Sequence, residues 1–339
     1  MIGPKRARAA WGAWRKAENL RAQGRYRPAS RRLYAQALRL LPLPWLLLRY
    51  CAFLRDLGRP FPARWVDRLL RDLRFLPTSG RKLALAALAE VAPSRTATLP
   101  RRWLKAAASI PGVAALLPND DSAANLARWQ QHYRTIFCNV VSQAAMESGI
   151  CVVGNGASLR GFSLGAAIDA NALVIRFNRC FGPDAAIEDI GQRINVWVVA
   201  PGYRGPATTA AWTVMTGPDM LYRLHNWQAV ATVAAAGSPV LTVPLPVWRL
   251  LVRQLNAPPS SGVLLLAWLN WLLGSWRGIS FVGIACGLDF AGRYHVGLSA
   301  HVPVVRHDWD AEQRLVESWI AQGLRRLSPL EHYSRIENN

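Results

Sequence analysis

The chain has 339 residues, of which 51% are hydrophobic and 18% charged, with a formal net charge of +21. That composition excludes a disordered polymer, and the length allows one large or two moderate domains. The charge is uneven: residues 1–110 carry 24 Lys/Arg against 5 Asp/Glu, and the remainder carries 17 against 15. A basic N-terminal region is therefore joined to a nearly neutral one, and the first is expected to seek an anionic surface.

Residues 1–117 read as helices. Apolar residues recur at three- and four-residue spacing in RAAWGAWRKAENLRAQGRY and ASRRLYAQALRLLP, with further helical pieces near 61–75, 80–91 and 100–109. One helix pair around Trp14, Tyr34, Ala37 and Pro42 is loosely similar to a tetratricopeptide unit, but no second copy follows at that period. The apolar runs 41–54 and 263–276 are too short to span a bilayer, which takes about 20 residues. No secretory signal opens the chain, and the five cysteines, Cys51, Cys138, Cys151, Cys180 and Cys286, contain no CxxC pair. A thiol-reducing compartment is the expectation.

The stretch LLPNDDSAANL (116–126) marks the expected boundary, giving a basic helical module over 1–117 and a second region over 118–339. Beyond it the pattern alternates. Strands are predicted at 150–154, 172–178, 194–200, 212–217, 239–245, 278–284 and 302–305, and helices at 122–147, 158–168, 247–255, 260–275 and 310–325. Apolar strands separated by helices predict an α/β sheet covered on both faces.

At the first strand the sequence runs CVVGNGASLRG (151–161). Gly154 and Gly156 are followed by Leu159 where a dinucleotide fingerprint needs its third glycine, and no P-loop Gly-Lys-Ser/Thr is present. What remains is a strand, a tight turn and free backbone N–H groups, suited to a phosphate or carboxylate.

The longer context is more specific. Val153-Gly154-Asn155, Ser158-Leu159-x-Gly161, Gly165 with Ile168-Asp169, Val174-Ile175-Arg176-Phe177-Asn178 and Asp189-Ile190-Gly191 with Arg193 form one ordered series. It resembles the large sialylmotif of the animal sialyltransferases, glycosyltransferase family 29. PPSSG (258–262) running to ISFVGI (279–284) resembles the small sialylmotif, and His307 with Glu312 matches the very short H-x4-E motif. The resemblance covers about 150–313, suggests a bacterial-type member, and leaves the basic module outside.

The resemblance implies a Rossmann-like (GT-A variant) mixed sheet with helices on both faces, preceded by an all-α region. It implies an inverting enzyme that moves sialic acid, or a related acidic sugar such as Kdo, from a CMP-sugar to a glycan hydroxyl. No cofactor or metal is implied, and the CMP-sugar is substrate. The donor side falls to Gly154, Asn155, Gly156, Asn178, Ser260, Ser261, Gly262 and Gly283. His307 is the general base, since an imidazole of ordinary pKa near 6.5 removes a proton at neutral pH. Glu312 either orients His307 or caps the following helix. His295 is the contact to the leaving phosphate, with His301 as competitor. The animal enzymes tie the large motif to the small one by a disulfide; Cys151 stands at the first position, but no cysteine lies between Gly262 and Gly283. Ala285 stands where a second glycine would help seat the base.

Two rival readings stand beside this one. Asp308 and Asp310 form a D-x-D pair of the kind that holds Mn²⁺ or Mg²⁺ in metal-dependent nucleotide-sugar transferases. Alternatively, the basic helices make the chain a nucleic-acid or scaffold binder, although the second region lacks a clustered Lys/Arg stripe and no specific nucleic acid is expected. The chain is expected in the cytoplasm, held peripherally on the anionic inner membrane face.

Overall fold

The computed structural model describes residues 3–108, 113, 116, 121–156 (backbone only over 121–130), 159–181, 186–200, 203, 208–216, 239–284 and 305–328. Contacts divide the chain into two compact units, the first of residues 1–130, 218–231 and 248–258, the second of 131–217, 232–247 and 259–339.

The first unit contains helices α1 (Pro4–Ala22), α2 (Pro28–Leu40), α3 (Pro44–Asp56), α4 (Ala63–Asp72), α5 (Thr78–Val91), α6 (Pro93–Ala97) and α7 (Arg101–Ala106). Proline occupies the first turn of α1, α2, α3 and α6, where its fixed φ suits the helix and its missing N–H costs nothing. Leu46, Leu47, Leu48, Phe53, Leu69, Leu83 and Leu88 fill the core. All five acids of residues 1–110 are ion-paired to arginine: Glu18 to Arg49, Asp56 to Arg21, Asp67 to Arg95, Asp72 to Arg68, and Glu90 to both Arg55 and Arg249. Of the surplus cations, Lys5, Arg8, Arg15, Lys16, Arg31 and Arg32 are exposed.

Residues 248–258, far downstream in sequence, belong to this unit. They come mostly from α11 (Leu245–Leu255). Arg249 pairs with Glu90 at 2.5 Å, Arg253 donates to the Leu57 carbonyl at 3.0 Å, and the Tyr26 N–H donates to the Asn256 carbonyl at 2.8 Å. Trp248 lies edge-on to the Tyr26 ring. The polar positions of α11 therefore face partners from the N-terminal helices, a pairing that local periodicity cannot reveal.

The second unit is an α/β sheet with β1 (Ile150–Val153), β2 (Leu173–Phe177), β3 (Val196–Val199), β4 (Trp212–Met215), β5 (Val240–Thr242), β6 (Ile279–Val282) and β7 (Arg325–Arg326). Their order is β5-β4-β3-β2-β1-β6-β7, and every pairing is parallel. The sheet is Rossmann-like as expected, but wholly parallel among the described strands rather than mixed. Each of β1, β2, β3 and β6 is buried at every position, as a doubly covered parallel sheet requires.

Register assigns the faces. Cys151, Val153, Val174 and Val282 share one face and pack with Ile168 of α9 (Gly165–Asp169) and Ile190 of α10 (Ile187–Ile190). On the other face lie Val152, Ile175, Val196 and Trp212. There Phe137 of α8 (Asp121–Met146) meets Trp212 edge-on and stacks on Trp268 of α12 (Ser261–Leu273). The last helix is α13 (Trp309–Ala321).

One sequence expectation changes, one falls outside the described residues, and one strand was not foreseen. The helix predicted over 158–168 is only the five residues of α9 (Ser158 itself lies outside the described residues), because a turn precedes it. Gly161 and Ser163 in that turn adopt φ of +77° and +51°, and both their N–H groups donate to the Asp189 carboxylate. The strand predicted at 302–305 lies outside the described residues except Val305, which is in a turn. A strand that was not predicted, Arg325–Arg326, pairs with β6, and its charge hid it. Among the described residues, no helix is long and apolar enough to cross a membrane.

Candidate active site

Strand order reverses between β1 and β6, and parallel sheets place ligands at the carboxyl edge of such a switch point. The loop after β1 closes directly on the end of β6. The Gly154 N–H donates to the Val282 carbonyl at 2.8 Å, and the Gly156 N–H to the Gly283 carbonyl at 3.0 Å. A Cβ on Gly154 would overlap the Gly283 carbonyl oxygen, and one on Gly262 would come within 2.9 Å of Ile284. The three segments carrying Gly154, Gly262 and Gly283 thus converge: Gly154 and Gly283 approach backbone to backbone, and Gly262 leaves room for the Ile284 side chain. Gly283, at φ +64°, lies against Gly154 and Leu159.

The two asparagines anchor the neighbouring strand ends. Asn155 donates through Nδ2 to the Phe177 carbonyl at 3.0 Å. Asn178 adopts φ +48°, and its Oδ1 accepts the Ala200 N–H at 2.9 Å. Its carbonyl accepts the Trp197 indole N–H at 2.7 Å. Each side chain thus has one end engaged by the protein.

The charged residues of the large segment brace loops. Asp169 accepts the N–H groups of Gln192 at 2.7 Å and Arg193 at 2.9 Å. Arg176, 1% exposed, donates to the carbonyls of Ile190 at 2.6 Å and Arg193 at 2.8 Å, and burial draws its pKa below the ordinary guanidinium value. Cys151 is a buried free thiol whose pKa burial pushes up to about 12. It behaves as a core residue.

Helix α12 begins at this edge. Ser260 is its N-cap, accepting the Val263 N–H at 3.4 Å, and the helix stops at Gly274 in the left-handed conformation. The Ser260 N–H donates to Glu312 Oε1 at 2.5 Å. Ser261 Oγ lies 3.0 Å from Thr216 Oγ1, at the end of β4. The contacts run unbroken from Asn178 and Asn155 through Gly154, Gly283 and Gly262 to Ser260 and Glu312.

Glu312 is fully buried, and its carboxylate goes to Ser260, where the sequence suggested His307 or a helix cap. Its Oε2 has no hydrogen-bond partner among the described residues. Burial raises its pKa to about 7, the Asp308 charge adds to this, and the Ser260 hydrogen bonds oppose it. A carboxyl with a raised folded pKa holds its proton more tightly folded than unfolded. Its contribution to stability is therefore fully present below the ordinary carboxyl range, is lost as pH climbs towards 7, and is flat above that. Glu312→Gln is expected to raise Tm relative to wild type more at pH 8 than at pH 5. A difference in Tm that is the same at both pH values would show that Glu312 does not titrate in this way.

His307 is half-buried, immediately before α13, with its ring edge-on to Trp309 at 5.1 Å. Asp308 is the α13 N-cap and accepts the Ala311 N–H at 3.1 Å, while Asp310 is exposed in the first turn. No group of three or more His, Cys, Asp or Glu among the described residues is arranged to hold a metal ion. His295, His301 and Ala285 lie outside the described residues. Thr216 escaped the sequence reading; its only signal was a threonine closing the apolar run WTVMT (212–216).

A sheet that is all-parallel among the described strands, with glycine-bearing segments meeting at its switch point, defines an α/β protein whose carboxyl strand edge is the candidate ligand site. The particular family comes from the sequence. Residues 124–223 match the model of glycosyltransferase family 29 (sialyltransferase). Ser260 and His307 lie beyond the matched residues. No curated protein matches the chain. Two crystal structures of a mammalian sialyltransferase, one in complex with Gal-beta-1-3GalNAc-ortho-nitrophenol, are similar to it at 16% identity. They cover 60% and 62% of this chain and 86% of each of theirs, with TM-scores of 0.40 and 0.41.

Proposed function

We propose that the chain transfers sialic acid, or a related acidic sugar such as Kdo, from a CMP-sugar to a glycan hydroxyl, with inversion and without a required metal. The supporting observation is the convergence of Asn155, Asn178, Gly154, Gly283 and the Ser260–Gly262 helix start at one switch point. The hydrogen bonds already made assign complementary tasks. Asn155 keeps Oδ1, an acceptor suited to a ribose hydroxyl, and Asn178 keeps Nδ2, a donor suited to a phosphate oxygen. The first amides of α12, at Ser261 and Gly262, lie at the positive end of the helix and suit the donor carboxylate or the nucleotide.

Negative charge grows on the CMP phosphate as its bond to the anomeric carbon breaks, and neutral donors fixed in place stabilise it. The attacking hydroxyl oxygen bonds to the anomeric carbon and its proton passes to the His307 imidazole; the electron pair of the broken bond leaves with CMP. His295 is assigned to the leaving phosphate. Glu312 acts through Ser260 by holding the α12 start.

Calorimetric titration with CMP, followed by turnover assays with CMP-sialic acid and CMP-Kdo, tests the reading. Micromolar CMP binding and turnover of one CMP-sugar are expected, and no CMP binding would overturn it. Turnover abolished by a chelator and restored by Mn²⁺ would favour the Asp308/Asp310 alternative, against which stands the engagement of Asp308 as a helix cap. Salt-sensitive oligonucleotide binding without CMP binding would favour the nucleic-acid reading.

We further assign the exposed cations of the first unit to peripheral contact with an anionic leaflet on the cytoplasmic side, each adding about 1 kcal/mol near such a surface. Flotation of the full chain with phosphatidylglycerol vesicles, but not with phosphatidylcholine vesicles, is the expected outcome. Equal flotation with neither removes the assignment.

A further inference from the structure

We infer that Thr216 is a positioning residue for the donor-binding end of α12, acting through the Ser261 hydroxyl. The inference rests on the proposed CMP-sugar reading. Thr216 is 3% exposed and stands one residue past β4, at the carboxyl edge of the sheet. Its N–H donates to the Val199 carbonyl at 2.9 Å, which ties it to the end of β3. Its hydroxyl lies 3.3 Å from that same carbonyl and 3.0 Å from Ser261 Oγ. The Thr216 side chain is therefore fixed by the strand, and it fixes Ser261 in turn.

A serine in the first turn of a helix has three staggered rotamers open to it. The Thr216 contact selects one of them before any ligand arrives. Ser260, the preceding residue, is held separately by Glu312 of α13. Two consecutive residues at the start of α12 are thus held by two different elements, 45 and 52 positions away in sequence. A polar donor group meeting this helix start finds the Ser261 hydroxyl already oriented, and binding does not have to order it.

Thr216→Val removes the hydroxyl at nearly constant shape and leaves the strand N–H in place. It is expected to weaken CMP binding and raise the donor KM about 5-fold, the value of one neutral hydrogen bond, with kcat unchanged. Thr216→Ser keeps the hydroxyl and is expected to stay within about 2-fold of wild type by the same reasoning. Ser261→Ala should lose as much as Thr216→Val, and the double variant should be no weaker than Ser261→Ala alone, because both act through one hydroxyl.

Calorimetric CMP titration of the full chain and its four variants reads all of this, with thermal unfolding recorded alongside. A lower Tm with unchanged CMP affinity in Thr216→Val would make the residue merely structural and overturn the inference. So would losses that multiply in the double variant. Wild type that binds CMP while the cycle is additive sinks this inference alone; wild type that binds no CMP sinks the donor reading and this inference with it.

Discussion

His307→Ala is expected to lower kcat by about 10²–10⁴-fold, the usual contribution of a general base, while CMP affinity stays within about 2-fold. The separation follows from the chemistry assigned to the two sides of the site. The donor is held by amides and hydroxyls at Asn155, Asn178 and the start of α12, none of which uses the imidazole. The proton lost by the acceptor has no assigned acceptor other than His307 among the described residues. Because His307 is half-buried and edge-on to Trp309, its removal costs packing but no core, and the variant should unfold close to wild type. Retention of more than a tenth of wild-type kcat would remove His307 from the role of base.

Gly154→Ala is the second large effect, and it acts on the frame that builds the site. The added Cβ would overlap the Gly283 carbonyl oxygen, and backbone cannot swing aside as a side chain can. Relief requires the ends of β1 and β6 to part. That movement breaks the bonds from the Gly154 N–H to Val282 and from the Gly156 N–H to Gly283. Overpacking together with two lost hydrogen bonds amounts to about 3 kcal/mol or more. A clear fall in Tm is expected, together with loss of at least 10-fold in CMP affinity. Gly12→Ala is the control: the site lies within α1, a Cβ there meets nothing within 4 Å, and replacing a helical glycine should stabilise by up to about 1 kcal/mol. If Gly154→Ala binds CMP as tightly as wild type, the close approach of the two strand ends is not part of the site.

The opposite fates of these two glycines mark where local sequence stops being informative. The neighbouring residues place Gly154 just past a strand and Gly12 within a helix, but they do not say what a Cβ at either would meet. Position 154 is restricted by Gly283, a residue 129 positions later.

What the sequence by itself determined is local and periodic. Short apolar, β-branched runs bounded by glycine and proline placed β1 to β6 within two residues at most ends, and alternating strands and helices set the α/β class. Prolines opening α1, α2, α3 and α6 and the capping residues Ser260 and Asp308 set helix starts from neighbouring residues alone. The ordered series from Val153 to Arg193 pointed to the family. Only the tertiary structure decided what those residues do. Asp189 reaches back to pin the Gly161–Ser163 turn and shortens α9, Arg249 and Arg253 draw α11 to the N-terminal helices, and Glu312 meets Ser260 rather than His307. The reason is physical. Helix and strand periodicity record which face of a segment is apolar, whereas a hydrogen-bond partner or a close backbone approach depends on which distant segment arrives there.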